Sequence, residues 1–94
     1  MASSLKQIRD SIEEIDEKII QLLRQRLNLV PEIVSIKQKE HIPIFHPERE
    51  QALFEKYHEL AQEYGLDPEF IHDIFARIII EMKDLQRIRS ISKN

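Results

Sequence analysis

Apolar residues recur in steps of three and four along the first third of the chain: Leu5, Ile8, Ile12, Ile15, Ile19 and Leu22, then Leu29, Ile33 and Ile36. Such steps place them on one face of a long helix that packs against another helix. The step after Leu22 falls on Arg26. A guanidinium therefore stands where the stripe calls for a hydrophobe, which is costly unless something pairs with it. The opposite face carries Lys6, Asp10, Glu13, Glu14, Glu17, Lys18 and Arg24, and Ser3 or Ser4 is placed to cap the start. A continuous helix from Leu5 to Lys39 would be ~50 Å long, whereas a compact domain of this size is only ~25–30 Å across. One subunit cannot cover such a stripe, so the pattern predicts a homodimer. Pro31 removes the amide that would bond to the Leu27 carbonyl. The stripe nevertheless keeps its phase from Leu29 to Ile36, and a bent but continuous helix is expected.

The segment Glu40 to His46 reads as a linker, with Ile42 biased to extended geometry by Pro43. Pro47 suits the first position of a second helix, with His46 just before it. That helix is expected to run to about Tyr64 with Leu53, Tyr57, Leu60, Ala61 and Tyr64 inward. Arg49 and Glu50 precede Leu53 by four and three residues, so they project over the start of the same face. Gly65 is a good left-handed terminator. Asp67 and Pro68 then open a third helix with the stripe Ile71, Ile74, Phe75, Ile78, Met82 and Leu85, and with Gln86 at its edge. It is expected to end near Ser90 to Ser92, after which the tail frays. No segment alternates like a strand. The fold class expected is all-α, with three helices per chain, one long and two shorter, in a single domain over residues 1–94.

Composition narrows the function classes. A net charge of −3 offers no strong field for nucleic acid or an anionic membrane. Cysteine is absent, which excludes disulfides and thiolate metal sites. No apolar run approaches the ~20 residues of a bilayer span, and the first residues lack the order of a signal peptide. A soluble, cytoplasmic protein is expected. The sole glycine, Gly65, argues against a Gly-rich phosphate loop.

The remaining chemistry is cationic. Arg26 and Lys37 are eleven residues apart, hence on nearly the same face and ~16 Å apart along the axis, close enough for two long side chains to converge on a small molecule. Arg9 lies seventeen residues before Arg26, ~25 Å along the axis, and cannot reach that ligand from the same helix. Antiparallel pairing in a dimer would bring the partner's Arg9 beside Arg26, giving two sites each built from two subunits. Arg49, Glu50 and Gln86 add a cation, a carboxylate and an amide. Arginines bind carboxylates through a two-pronged fork, so the set suits a small dianion. His41, His46, His58 and His72 share no face, and no nucleophile–base set is present; covalent and metal catalysis are unsupported. Taken singly, each residue also has a plainer role: Arg26 in a register-setting ion pair with Glu13 or Glu17, the other charges as solvated helix surface, His46 as a helix-start residue.

Together, Ile8, Arg9, Asp10, Ile12, Ile15, Asp16, Ile19, Leu22 and Arg26, then Lys37, then Pro47-Glu48-Arg49-Glu50, then Ile79-Ile80-Glu81 and Gln86 resemble the all-helical chorismate mutases of the shikimate pathway, over essentially the whole chain. The resemblance implies an intertwined homodimer that converts chorismate to prephenate, on the route to the aromatic amino acids, without a cofactor. It implies that the partner's Arg9 and Arg26 hold the two substrate carboxylates. Lys37 would lie near a carboxylate and the ether oxygen, and Gln86 would donate to that oxygen. Glu50 would accept from the ring hydroxyl and Arg49 would order Glu50, while His46 and Met82 would line the pocket. The family often has an aspartate at the place of His46 and a small polar residue at that of Met82; here a tuned affinity and one missing polar contact are expected. Two rival readings remain. One is an isochorismate pyruvate lyase on the same scaffold, which the presence of Glu50 disfavours. The other is a non-catalytic helical dimerisation module.

Overall fold

The computed structural model describes residues 4–92; Ser3 and the end of the tail expected to fray lie outside them. The order is α1 (Leu5–Leu27), α2 (Val30–Glu40), α3 (Pro47–Glu63) and α4 (Pro68–Ser92), and no strand occurs among the described residues. Ser4 opens α1: its side chain accepts from the Gln7 amide at 3.1 Å while Gln7 Oε1 accepts from the Ser4 amide at 2.8 Å. This reciprocal pair satisfies two otherwise orphaned donors.

α1 and α2 are one rod with a joint. Asn28 (φ −64°, ψ −17°) and Leu29 (φ −81°, ψ −12°) both keep right-handed helical dihedrals. Asn28 N–H still reaches the Arg24 carbonyl at 2.9 Å, but Leu29 N–H closes a tighter turn on the Arg26 carbonyl at 3.2 Å. Pro31 supplies no N–H for the Leu27 carbonyl, which explains why the regular ladder is interrupted here. The described chain thus has three helical rods, of which the first is interrupted at Asn28 and Leu29.

α2 and α3 both pack on α4. Val30, Val34 and Met82 are buried together, with Leu27, Ile33, Ile78 and Leu85 packed around them; Ala61 and Ile79 are buried as well. Within one chain most of the expected stripe stays uncovered. Leu29 and Ile36 stay exposed, and Val30 and Val34 carry the packing of α2 instead. Helical spacing puts Val30, Val34 and Lys37 on one face and Leu29 with Ile36 on another. The first face meets α4; the second prolongs the apolar line of α1. On α4 the most buried positions are Ile79, Met82 and Gln86, spaced three and four apart, so Gln86 lies on the inner line rather than at its edge.

No residue of α1 is buried. Leu5, Ile8, Ile12, Ile15, Ile19 and Leu22 are each between 47% and 61% exposed. The chain measures 59 × 27 × 15 Å with a radius of gyration of 17.3 Å, against ~12–13 Å for a compact domain of this length. Among the described residues no helix is long and apolar enough to cross a membrane.

The turn from α3 to α4 follows its local chemistry. Gly65 takes φ 68°, which lets Leu66 N–H reach back to the Ala61 carbonyl at 2.7 Å. Asp67 Oδ1 then accepts from the Glu69 amide at 3.0 Å. A Cβ on Gly65 would meet nothing within 4 Å. Gly65→Ala is therefore expected to cost only the left-handed backbone penalty, about 1–2 kcal/mol, with Gly65→Asn costing less. Urea denaturation midpoints of the two variants check both the size and the order.

Candidate active site

Helix α2 ends in a closure that wraps the linker around Lys37. His41 adopts left-handed dihedrals (φ 58°, ψ 39°), and Ile42 N–H turns back to the Lys37 carbonyl at 2.8 Å. The returning chain brings the Ile44 carbonyl to 3.1 Å from Lys37 Nζ, and Gln86 Oε1 of α4 accepts from the same ammonium at 3.0 Å. An ammonium can be bonded only by the amide oxygen of Gln86. What Gln86 can offer a ligand is therefore its Nε2–H. Burial and then the charge of Arg49 push the Lys37 pKa below the ordinary lysine value, while Glu50 partly opposes them. The lowered value means that the folded chain disfavours the charged form, and an anion entering beside Lys37 would relieve that cost.

Lys37 and Gln86 line a cleft of about 460 Å³ between α2, α3, α4 and the linker, large enough for a small organic substrate. Ile33, Ile42, Ile44, Leu53 and Ile79 supply apolar walls, and Met82 lines the cleft while also belonging to the core. Arg26 reaches in from the end of α1, its guanidinium 3.5 Å from the Tyr57 hydroxyl. The Tyr57 ring is stacked on Phe75 with centroids 4.1 Å apart. Among the described residues no ion pair joins Arg26 to Glu13 or Glu17 within the chain. His46 Nδ1 accepts from the Arg49 amide at 3.0 Å, so an imidazole performs the N-cap of α3. Glu50, one residue on, faces Lys83 of α4, with Nζ 3.0 Å from its Oε2.

Of the eight residues singled out by sequence, the cleft brings together Arg26, Lys37, His46, Arg49, Glu50, Met82 and Gln86. Arg9 is exposed on α1 and does not line it. Lys83 was missed. It stands three residues before Gln86, a spacing that shares a helix face, but its partner Glu50 is 33 residues away and single-sequence spacing cannot pair them. Among the described residues the cleft thus holds four cations (Arg26, Lys37, Arg49 and Lys83) against one carboxylate, an arrangement suited to an acidic small molecule.

A family model described as chorismate mutase type II matches residues 8–87. The chain belongs to the chorismate mutase type II family. Among its relatives, the chorismate mutase of Methanocaldococcus jannaschii is 36% identical over 87 residues, covering 93% of this chain and 88% of that protein. The T-protein of Enterobacter agglomerans is 33% identical over 81 residues, 86% of this chain but 22% of its own length. The bifunctional chorismate mutase/prephenate dehydratase of Aquifex aeolicus is 40% identical over 86 residues, 88% of this chain and 24% of its own. The chain therefore spans about a fifth to a quarter of the T-protein and of the bifunctional relative, and most of the archaeal one.

The family match runs through α1, the cleft and α4, so the segments that hold Arg26, Lys37, Arg49, Glu50 and Gln86 all lie within it. The His46 cap can be tested directly. His46→Ala should lose the Arg49 bond and about 1 kcal/mol of stability. His46→Asp should retain the cap and add favourable charge at the helix N-terminus. Thermal melts in which both variants fall alike would exclude the cap.

Proposed function

We propose that this chain is a chorismate mutase, which rearranges chorismate to prephenate by holding it folded and by stabilising charge, with no covalent intermediate. Residues 1–94 form, on this reading, one catalytic domain of a cytoplasmic enzyme of aromatic amino acid biosynthesis. The observation that carries it is the Lys37–Gln86 bond, which sets an ammonium and an amide N–H side by side in a cationic cleft. The name of the archaeal relative, matched over most of its length, supports the same reading.

The rearrangement breaks one C–O bond as one C–C bond forms within a single molecule. It needs no acid, base or nucleophile. A catalyst must hold the flexible side chain over the ring and place donors where the ether oxygen gains negative charge. Arg26 and Lys37 clamp the carboxylates, Arg49 adds to the anionic pocket, and Glu50 accepts from the ring hydroxyl. Lys37 and Gln86 Nε2 face the ether oxygen. His46 and Met82 shape the two ends of the substrate cavity.

One carboxylate still needs a second cation, and Arg9 of the same chain is not at the cleft. A homodimer would supply it. The half-exposed stripe of α1 gives that assembly its driving force. Burying the remaining halves of six large side chains contributes roughly 5–9 kcal/mol per chain. That is comparable with the whole stability of a small domain, about 5–15 kcal/mol, so an isolated chain with this stripe uncovered would be marginal.

The deciding experiment is a chorismate consumption assay with the product identified. Prephenate is the expected product; pyruvate from isochorismate without prephenate would overturn the assignment in favour of a lyase. Arg9→Ala and Arg26→Ala should each abolish most turnover while the dimer mass persists. Because each site takes the two arginines from different subunits, mixing the two inactive variants should restore about a quarter of wild-type activity through heterodimers with one intact site. No recovery on mixing would exclude the shared site.

Gln86→Glu tests the ether-oxygen donor. A carboxyl group can donate only when protonated, and Lys37 at 3.0 Å favours its ionised form. Activity should therefore be low at neutral pH and rise toward acid, being lost as pH climbs through the carboxyl pKa. A pH–rate profile like that of the wild type would remove Gln86 from this role.

A further inference from the structure

The cleft holds a fourth cation, Lys83, to which the proposed mechanism assigns no role. Lys83 Nζ lies 3.0 Å from one oxygen of Glu50 and 3.2 Å from the other. Both side chains are about a fifth exposed, at 19% and 22%. The Phe45 ring of the linker covers the same ammonium, with its centroid 4.9 Å from Nζ. Lys83 is therefore held from two sides, and among the described residues it holds the only carboxylate that lines the cleft.

Glu50 needs such restraint. It is close enough to Lys37 to act on its charge, and Arg49 acts on Lys37 from the same helix turn. An unclaimed Glu50 would be a built-in rival for the cations that a dianionic substrate must use. A carboxylate has about four acceptor positions, so the contact with Lys83 leaves others for a hydroxyl. From this geometry we infer that Lys83 is a positioning residue acting through Glu50: it withholds the carboxylate from Lys37 and Arg49, so that these serve the substrate carboxylates, and it aims Glu50 at the ring hydroxyl. The inference rests on the mutase reading and adds to it a residue whose work is to remove an internal competitor.

The two parts of that work are separable. Steady-state kinetics on chorismate are measured for the wild type, Lys83→Met, Lys83→Arg, Glu50→Gln and the Lys83→Met/Glu50→Gln double variant. Lys83→Met should lower kcat/KM mainly through KM, by about tenfold, and Lys83→Arg should recover most of the loss. Glu50→Gln should impair the wild type but improve the Lys83→Met background, because a neutral amide no longer competes with substrate. An unchanged KM in Lys83→Met overturns the inference. So does a Glu50→Gln loss that merely adds in both backgrounds, or a defect that tracks melting temperature alone. A second measurement needs no turnover: NMR titration of the Lys37 ammonium in substrate-free protein. Its midpoint should rise in Lys83→Met as Glu50 turns toward Lys37, and an unmoved midpoint counts against the inference. Absence of chorismate turnover in the wild type would instead strike the mutase reading, leaving the titration to judge Lys83.

Discussion

The structure of the cleft depends on one ammonium group. Lys37 projects from the buried face of α2, where a charge needs acceptors, and it finds the Ile44 carbonyl and the Gln86 amide oxygen. Each partner imposes a condition elsewhere. The Ile44 carbonyl is within reach only because the chain reverses at His41 and Ile42 closes back on α2. Gln86 is within reach only because it replaces a hydrophobe on the inner line of α4, in register with Ile79 and Met82. A single charge thereby fixes the path of the linker, the rotation of α4 and the orientation of an amide.

Like-charged groups gathered in a small core oppose folding. Burial disfavours the charged form of Lys37, and Arg49 adds to the effect. The chain tolerates this because the buried hydrophobic set around Val30, Val34 and Met82 sits directly beneath the cleft. An anionic ligand that binds only the folded state would return stability in proportion to its occupancy. The cationic excess is thus a local weakness that a bound anion would correct.

Helix ends were legible in the sequence because they are set by nearest neighbours: Ser4 with Gln7, Pro47 after His46, Gly65, and Asp67 with Pro68. The cleft residues Arg26, Lys37, Arg49 and Glu50 were legible too, since each interrupts or overhangs an apolar face. Two things were not. The packing of α2 through Val30 and Val34, rather than through Leu29 and Ile36, is decided by α4 and not by periodicity alone. The Lys83–Glu50 pair joins two helices across 33 residues, and neither residue breaks a pattern where it stands.

The joint at Asn28 and Leu29 lies between Arg26 and Lys37. Arg26 therefore rides on an arm with no buried residue and Lys37 on the helix anchored to the core. Their separation depends on the geometry of the joint as well as on helical pitch. A ligand grasped by both would act as a strut across the elbow, and whatever holds the arm at that angle would tighten the grip on the ligand by the same free energy. A contact that holds the arm and a ligand that bridges the joint would in this way act on one coordinate.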